Sequence, residues 1–334
     1  MAKRLKILVV RFSSIGDIVL TTPVVRCLHL QLNADVHYLT KASFVSILDT
    51  NPYISKVWSI RSKIAEVRAG LQAEKFDYVI DLHKNLRTLQ LRLMLRSSFL
   101  AFQKLNIEKW LMTKLKINRL PKVHIVDRYL ATVKPLGVIN DGQGLDYFIP
   151  QNAKAAIEDY RQKGDFIVAF AIGAAHATKR LPTEKIISIC HKIIESSRAT
   201  IILLGGKDDA ATGATIAQTM EQKIINYCGK LSLSQSAAVI QQASMVITHD
   251  TGLMHIAAAF DKQIVSVWGN TIPDFGMYPY VDASKFAVVE VEGLPCRPCS
   301  KIGHNACPKG HFKCMNQIDE SLILAEVKAS AQYH

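Results

Sequence analysis

Short apolar runs of strand length alternate with helix-length amphipathic segments from one end of the chain to the other. The apolar runs lie at 5–10, 36–40, 56–60, 76–81, 166–173, 199–206, 223–229, 245–250 and 263–269. Continuous apolar strands separated by crossover helices are typical of parallel sheets that helices cover on both faces. The pattern therefore predicts an α/β protein of the doubly wound class, and the apolar share of 49% supports a large core.

The length of 334 residues predicts two such domains. The densest turn cluster near the middle of the chain covers 140–144 and is followed by Pro150, so we expect a linker near 150–163. The predicted first domain is 1–155 and the second is 156–317. A helical pattern over 318–331 suggests that residues 318–334 form a C-terminal helix. Ligands of doubly wound domains bind at the carboxyl ends of strands, so we expect the site there, in a cleft between the two domains.

Charge is distributed unevenly between the two halves. Residues 1–150 contain 23 Lys+Arg and 11 Asp+Glu, a net +12, while residues 151–334 contain 18 and 17, a net +1. Between His83 and His124, ten basic residues accompany the single acid Glu108. Such a surface attracts a polyanion, namely nucleic acid, anionic lipid or a phosphorylated glycan, although a merely solvated surface also has this composition. We do not expect a nucleic-acid partner, because the chain has no recognisable RNA-binding or DNA-binding motif.

The N-terminal apolar run is short. Arg11 interrupts it after Val10, and no run approaches the roughly 18 apolar residues of a membrane span. We therefore expect a cytoplasmic protein whose seven cysteines are reduced thiols. Four of them, Cys296, Cys299, Cys307 and Cys314, lie close in sequence with two histidines between them. This cluster suits either a zinc site or a loop of packed thiols.

The first strand leads into a polar turn that contains Ser13, Ser14 and Asp17. Gly16 allows a tight turn, so the Asp17 carboxylate is placed to act as a general base at a strand end. The alternative interpretation is a helix cap. The two serines are candidate acceptor-binding hydroxyls. Another polar group follows the run 76–81, where His83, Lys84 and Arg87 are candidate ligands of an acceptor phosphate or carboxylate.

The run 245–250 leads directly into Thr251 and Gly252 at the start of a predicted helix. Backbone N–H groups at a helix N-terminus form an anion site that suits phosphate. His255 lies one helical turn after Thr251 and is placed either to reach the same ligand or to be structural. Asp250 is either a ligand-binding residue or a helix cap.

Two further strand ends carry small and charged residues. Gly173 precedes Lys179 and Arg180, which are placed to neutralise a leaving diphosphate without metal. Asp208 and Asp209 follow the run 199–206, where an acid commonly hydrogen-bonds ribose hydroxyls. The chain has neither GxGxxG after its first strand nor a GxxxxGK[ST] loop, which argues against dinucleotide-dependent and P-loop enzymes.

Together these motifs resemble glycosyltransferase family 9, the bacterial ADP-heptose:lipopolysaccharide heptosyltransferases. The similar stretches are Arg11 to Pro23, His249 to Ala259, Trp268 to Thr271, and Pro295 to Cys314. The resemblance implies a GT-B fold with an N-terminal acceptor domain and a C-terminal nucleotide-sugar domain. It also implies that the helix at 318–334 returns to the first domain.

The resemblance further implies an inverting transfer of heptose from ADP-heptose to a sugar hydroxyl of the lipopolysaccharide inner core, with no metal or other cofactor. Asp17 would be the general base and Lys179 would hold the diphosphate. The expected donor-binding residues are Thr178, Asp209, Asp250, Thr251, Gly252, Leu253 and His255. Asp208 remains an alternative to Asp209 at the ribose.

The expected acceptor is a phosphorylated, lipid-linked oligosaccharide at the inner face of the cytoplasmic membrane, in keeping with the basic first half. The basic and apolar stretch 92–116 is either an interfacial segment or a core-facing helix pair. Two alternative functions remain, a transferase that uses another nucleotide sugar and a sugar-nucleotide epimerase on the same scaffold.

Overall fold

The computed structural model describes residues 4–154, 166–221 and 223–332. The strands in these ranges are β1 (Lys6–Val10), β2 (Asp35–Lys41), β3 (Lys56–Ile60), β4 (Tyr78–Asp81), β5 (Ser98–Ala101), β6 (Ile167–Ala171), β7 (Thr200–Leu204), β8 (Ile225–Asn226), β9 (Met245–His249), β10 (Gln263–Trp268) and β11 (Phe286–Glu290). The α-helices are α1 (Ile15–Val19), α2 (Thr22–Leu32), α3 (Arg68–Glu74), α4 (Leu86–Met94), α5 (Asn106–Trp110), α6 (Ile125–Val133), α7 (Gln151–Lys154), α8 (Thr183–Ser196), α9 (Ala210–Thr219), α10 (Leu233–Gln242), α11 (Gly252–Ala259), α12 (Lys313–Asn316) and α13 (Glu320–Ala331). None of the helices in the described part of the chain is long and apolar enough to cross a membrane.

The chain forms two compact units. Unit 1 comprises 4–104 and 123–148, and unit 2 comprises 105–122 together with the described residues from 149 onward. The domain boundary predicted between 155 and 156 lies outside the described residues. Most of the linker predicted at 150–163 lies outside them as well.

Residues 105–122 belong to unit 2 although they lie between two parts of unit 1 in the sequence. In this segment the Lys116 ammonium donates to the carbonyl oxygen of Pro298 at 2.7 Å. The Asn118 side-chain amide donates to the Asp274 carboxylate, also at 2.7 Å. The stretch 92–116 is therefore not one structural segment, because its first part lies in unit 1 and its second part in unit 2.

Unit 1 contains a five-stranded parallel sheet in the order β3-β2-β1-β4-β5. Its central strand β1 is fully buried over Ile7 to Val10, which is why the sequence shows an uninterrupted apolar run there. Helix α2 tolerates Pro23 because the proline stands in the first turn, where the backbone needs no N–H donor. The helix ends at Asn33, whose φ of 49° is left-handed.

The turn cluster at 140–144 is fixed to unit 1 by one buried side chain. The Arg26 guanidinium donates through Nε and Nη2 to the Asp141 carboxylate, at 2.8 Å in each case. It also forms an ion pair with Asp146 and donates to the carbonyl oxygen of Gly144 at 2.9 Å. The hydrogen bonds from Arg26 lower the pKa of Asp141 to about 2. These bonds explain why a glycine-rich turn is ordered on the surface of helix α2.

Unit 2 contains a six-stranded parallel sheet in the order β11-β10-β9-β6-β7-β8. Strands β6 and β9 are buried along their whole length and pair directly with each other. The sequence predicts nine of the strands in the described chain, but it misses β5 and β11. Both are edge strands whose residues are mostly half-buried or exposed.

The C-terminal helix α13 contributes Ile323 and Val327 to the hydrophobic core of unit 2. Its first residue, Glu320, accepts hydrogen bonds from Lys185 at 3.2 Å and from Ser188 at 2.7 Å, both on helix α8. The helix is therefore an integral part of unit 2. The further expectation that it returns to the first domain stays a prediction.

We expect Ile323→Ala to lower the free energy of unfolding of unit 2 by about 2 to 4 kcal/mol, because it leaves a cavity in the core. The neighbouring Leu322→Ala is the matched control, since Leu322 is 49% exposed, and we expect it to change stability by less than about 0.5 kcal/mol. Urea unfolding followed by circular dichroism measures both. Equal effects of the two substitutions would contradict the assignment of α13 to the core.

Candidate functional site

The strand order of each sheet reverses at one point, and polar residues gather there. In unit 1 the reversal lies between β1 and β4, and in unit 2 between β6 and β9. Loops that follow two such strands run in opposite directions and leave a crevice at the carboxyl ends of the strands, where doubly wound domains bind ligands.

In unit 1 the carboxylate of Asp17 is held by three groups. The Arg11 guanidinium lies 2.7 Å from Asp17 Oδ1 through Nη2. The backbone N–H and the hydroxyl of Ser14 donate to Asp17 Oδ2 at 3.1 and 2.9 Å. Ser14 is the N-cap of helix α1, and Asp17 lies three residues later in its first turn. By accepting the Ser14 N–H, Asp17 helps to cap this short helix in addition to pairing with Arg11. The carboxylate is nevertheless partly accessible, with 21% of the side chain exposed.

Arg11 is the residue that organises this crevice. Its Nη1 donates to the carbonyl oxygen of Leu82 at 2.7 Å and to the Tyr129 hydroxyl at 3.0 Å. Its Nε donates to the carbonyl oxygen of Ser13 at 2.8 Å. One guanidinium thus joins the loops that follow β1 and β4 and orients the carboxylate of Asp17.

The charge of Arg11 also determines the protonation state of Asp17. Burial raises the pKa of this carboxyl, but the Arg11 charge and the two Ser14 donors together outweigh burial, so the pKa lies below its usual value. Asp17 is therefore an anion at neutral pH.

The loop after β4 places the predicted acceptor-binding residues in different environments. Asp81 Oδ1 accepts the backbone N–H groups of His83 and Lys84 at 2.9 and 2.6 Å, which fixes the turn. The His83 ring lies edge-on to Phe12 with a centroid distance of 5.3 Å. Burial and the Arg11 charge lower the pKa of His83 to about 4, so its imidazole is neutral. Lys84 is exposed.

The other three predicted acceptor ligands have local contacts. Arg87 Nε donates to the carbonyl oxygen of Ser62 at 3.2 Å, which connects helix α4 to the loop after β3. Ser13 is half-buried, and its carbonyl oxygen accepts a hydrogen bond from Arg11. Ser14 is exposed, and its backbone N–H and hydroxyl donate to Asp17. The structure thus brings Ser13, Ser14 and Asp17 together around Arg11.

In unit 2 the crevice contains an ion pair between Lys179 and Asp250. The Lys179 ammonium lies 2.6 Å from Asp250 Oδ2 and 3.3 Å from the Asp250 carbonyl oxygen. The Thr271 hydroxyl donates to the same Oδ2 at 2.8 Å. Asp250 therefore orients Lys179 and does not cap helix α11, whose N-cap is Thr251.

A second ion pair lies on the other side of β6. The Arg180 guanidinium is 3.1 Å from Asp209 Oδ1, and the backbone N–H of Gly206 donates to Asp209 Oδ2 at 2.8 Å. Asp209 is buried whereas Asp208 is exposed. Gly173 makes this arrangement possible, because a Cβ at position 173 would overlap the Asp209 carboxylate.

The start of helix α11 is open to solvent on one side. Thr251, Gly252 and Leu253 are half-buried, and the Thr251 hydroxyl is 3.4 Å from that of Thr248. His255 is buried one turn further along. The first backbone N–H groups of the helix thus lie next to the strand end that carries Asp250.

Thr178 has a different environment from the other predicted donor ligands. Its hydroxyl accepts from the backbone N–H of His304 at 2.8 Å and donates to the His304 carbonyl oxygen at 3.1 Å. The side chain is buried. These bonds join the turn before Lys179 to the cysteine-containing loop.

All seven cysteines are free thiols in the structure. Within the described ranges, no three His, Cys, Asp or Glu side chains come together closely enough to hold a metal ion. Cys296 Sγ does lie 3.9 Å from His311 Nε2. Burial raises the pKa of Cys314 to about 11 and so keeps that thiol protonated.

A cavity of about 910 Å³ lies in unit 1 but away from these groups. It is lined by residues such as Phe76, Met94 and Ser98, at the amino ends of β4 and β5. Arg11, Asp17 and His83 lie at the opposite edge of the unit 1 sheet, where the strands have their carboxyl ends. This cavity is therefore separate from the candidate site.

Sequence reasoning missed two important residues. Arg11 and Thr271 lie in the stretches that resemble the family, but they received no role because the sequence does not show which side chains they contact, and Leu82, Tyr129 and Asp250 are distant in the chain. Arg11 follows β1 directly, and an arginine that interrupts an apolar run at a strand end was the available signal.

Comparison with known proteins identifies the family. The family model for glycosyltransferase family 9 (heptosyltransferase) matches residues 64–306, well over half of the chain. The chain belongs to glycosyltransferase family 9. It is 28% identical over 142 residues to lipooligosaccharide heptosyltransferase 2 of Haemophilus influenzae, 41% of each protein. It is 26% identical over 164 residues to lipopolysaccharide heptosyltransferase 2 of Salmonella typhimurium. These two alignments span less than half the length of either relative, 41% and 47%.

Solved structures show the same fold over the whole chain. The glycosyltransferase family 9 protein of Veillonella parvula has a TM-score of 0.79 at 21% identity, over 100% of this chain and 99% of that one. The ADP-heptose lipopolysaccharide heptosyltransferase II of E. coli has a TM-score of 0.73 at 20% identity, over 98% and 99%. The predicted fold class, two parallel-sheet α/β domains of the GT-B type, is confirmed.

We expect Arg11→Met to raise the pKa of Asp17, because burial would then act on the carboxyl without the opposing guanidinium charge. Arg61→Met, at an exposed position of the same unit, is the control and should leave this pKa unchanged. A carbon-13 NMR titration of the aspartate carboxyls, assigned with Asp17→Asn, measures the change. An unchanged Asp17 titration in Arg11→Met would show that the ion pair does not control this carboxylate.

Proposed function

We propose that the chain transfers heptose from ADP-heptose to a sugar hydroxyl of a phosphorylated, lipid-linked inner-core oligosaccharide of lipopolysaccharide. The observation that carries the proposal is the placement of the Asp17 carboxylate at the strand reversal of unit 1 and of the Lys179 ammonium at that of unit 2. Transfer to a hydroxyl needs a base at the acceptor and positive charge at the departing diphosphate. Family membership supports this assignment.

In the proposed reaction, Asp17 accepts the proton of the acceptor hydroxyl while the hydroxyl oxygen attacks the anomeric carbon. The bond from that carbon to the diphosphate breaks in the same step, and ADP leaves with the electron pair. Because attack and departure occur on opposite faces of the sugar, the configuration at the anomeric carbon is inverted. Arg11 and Ser14 orient the Asp17 carboxylate for this task.

Lys179 is the proposed diphosphate ligand. An ammonium group has three N–H donors, and Asp250 accepts from two of them through its carboxylate and its carbonyl oxygen. The third donor then serves a phosphate oxygen. The backbone N–H groups of Gly252 and Leu253 at the start of α11 add further donors, and Thr251 supplies a hydroxyl. This arrangement stabilises the leaving group without a metal ion.

The remaining predicted residues receive narrower roles in the proposal. Asp209 is the proposed ribose ligand, with the exposed Asp208 as its alternative, and it also orients Arg180 next to Gly173. Thr178 and His255 are buried, so they position the donor-binding loop and helix.

In unit 1, Ser13, His83, Lys84 and Arg87 are the proposed acceptor ligands. His83 is neutral at pH 7 and therefore suits a hydroxyl, while the two cations suit phosphate.

The proposed setting is the inner face of the cytoplasmic membrane, where a lipid-linked acceptor is presented. The net charge of +12 over residues 1–150 supports attraction to an anionic acceptor and an anionic lipid surface.

We expect Asp17→Asn to reduce the rate of heptose transfer by at least about a hundredfold, because the amide cannot accept the proton. The assay follows ADP release from ADP-heptose with the inner-core acceptor, in excess EDTA. ADP binding and the melting temperature should remain as in wild type. Asp49→Asn, an exposed aspartate of unit 1, is the matched control.

Transfer at the wild-type rate in Asp17→Asn would refute the role of Asp17. Conversion of ADP-heptose in the absence of any acceptor would instead favour an epimerase.

A further inference from the structure

The outer face of helix α4 exposes three large apolar side chains in a row. Leu86 is 80% exposed, Leu89 is 52% exposed and Leu93 is 82% exposed. Their spacing of three and four residues places them on one face of the helix. The opposite face, with Thr88 and Leu91, is buried against unit 1.

Helix α4 is well fixed, so this apolar face is preformed. Its N-cap Asn85 accepts the backbone N–H groups of Arg87 and Thr88, at 2.9 and 3.1 Å. Leu91 and the following Leu95 belong to the hydrophobic core of the unit. The three exposed leucines are therefore not the result of a loosely packed helix, and a contiguous exposed apolar patch indicates a binding surface.

The charges on helix α4 and on the residues that flank it in sequence are all positive. Lys84, Arg92 and Arg96 are exposed beside it, and no acidic residue occurs between Asp81 and Glu108. A symmetric dimer through this face would bring like charges together, which is unfavourable. A nucleic acid would pair with the cations but would leave the leucines unburied. An anionic lipid surface satisfies both, because leucines enter the interfacial layer while arginines reach the headgroups.

We propose that helix α4 is an amphipathic anchor through which the protein docks on an anionic lipid bilayer. Its beginning lies three residues after His83, at the carboxyl edge of the unit 1 sheet, so docking would bring that edge to the membrane surface. The inference rests on the proposed function for its purpose, since a lipid-linked acceptor is presented there. The docking itself is a physical property that can be measured without any catalysis.

The test is flotation of the full-length protein with vesicles of phosphatidylcholine containing about 30% phosphatidylglycerol, compared with phosphatidylcholine alone. We expect binding to the anionic vesicles only, with partial loss at high salt.

The triple variant L86Q/L89Q/L93Q should bind at least about tenfold more weakly, since glutamine keeps the helix and removes apolar area. R92Q/R96Q should also weaken binding. The triple variant L30Q/I139Q/L322Q, at other exposed apolar positions, is the matched control and should bind as wild type.

The outcomes separate docking from catalysis. Asp17→Asn should float as wild type does, so a failure of the proposed transfer reaction would leave this result unchanged. The α4 leucine variant should transfer normally to an acceptor stripped of its acyl chains and slowly to one in vesicles. Wild-type flotation of that variant, or equal binding to neutral vesicles, would overturn the proposal. A dimer in wild type that becomes a monomer in the variant, with vesicle binding unchanged, would assign the face to a second copy of the chain.

Discussion

The ion pair between Lys179 and Asp250 is the interaction that organises the crevice of unit 2. A lysine ammonium on its flexible stem has no fixed direction, and the Asp250 carboxylate provides one at a distance of 2.6 Å. Thr271 holds that carboxylate from the neighbouring strand end. The pair is only slightly exposed, so water screens the attraction between its two charges weakly. The strand reversal between β6 and β9 creates the crevice that contains the pair.

The corresponding ion pair in unit 1 joins Arg11 and Asp17. Here the cation orients the carboxylate, whereas in unit 2 the carboxylate orients the cation. Arg11 keeps the pKa of Asp17 low, which makes the carboxylate a weak base in the free protein. A weak base is sufficient if proton transfer is late, because an alcohol oxygen becomes strongly acidic as its new bond to carbon forms. The same guanidinium holds the loops after β1 and β4 together, so it also fixes the position of the Asp17 carboxylate.

Much of the fold followed from the sequence because buried parallel strands are continuous apolar runs. Strand β1, buried from Ile7 to Val10, and strand β6, buried along its whole length, were predicted to within one or two residues. Edge strands β5 and β11 were missed, whereas the edge strands β3 and β8, which are also partly solvated, were predicted. The assignment of 105–122 to unit 2 could not be predicted, since it depends on contacts such as that of Lys116 with Pro298 across 182 positions.

The sequence predicted that the site residues follow the ends of strands, but it did not predict which side chains pair with each other. Sequence motifs identified Asp17 and Lys179 but gave no sign that Arg11 and Asp250 would hold them. The buried hydroxyl of Thr178 shows the limit of motif reasoning, because a threonine beside a predicted phosphate ligand proved to be bonded to a distant loop. Polar networks of this kind depend on which loops the fold brings together, and local sequence does not encode that.

The proposed function requires unit 2 to bind an ADP-sugar without a metal ion. Calorimetric titration of the full-length protein with ADP, UDP and GDP in excess EDTA measures this binding. We expect selective binding of ADP that EDTA does not weaken. Preference for UDP, or binding that disappears in EDTA, would contradict it.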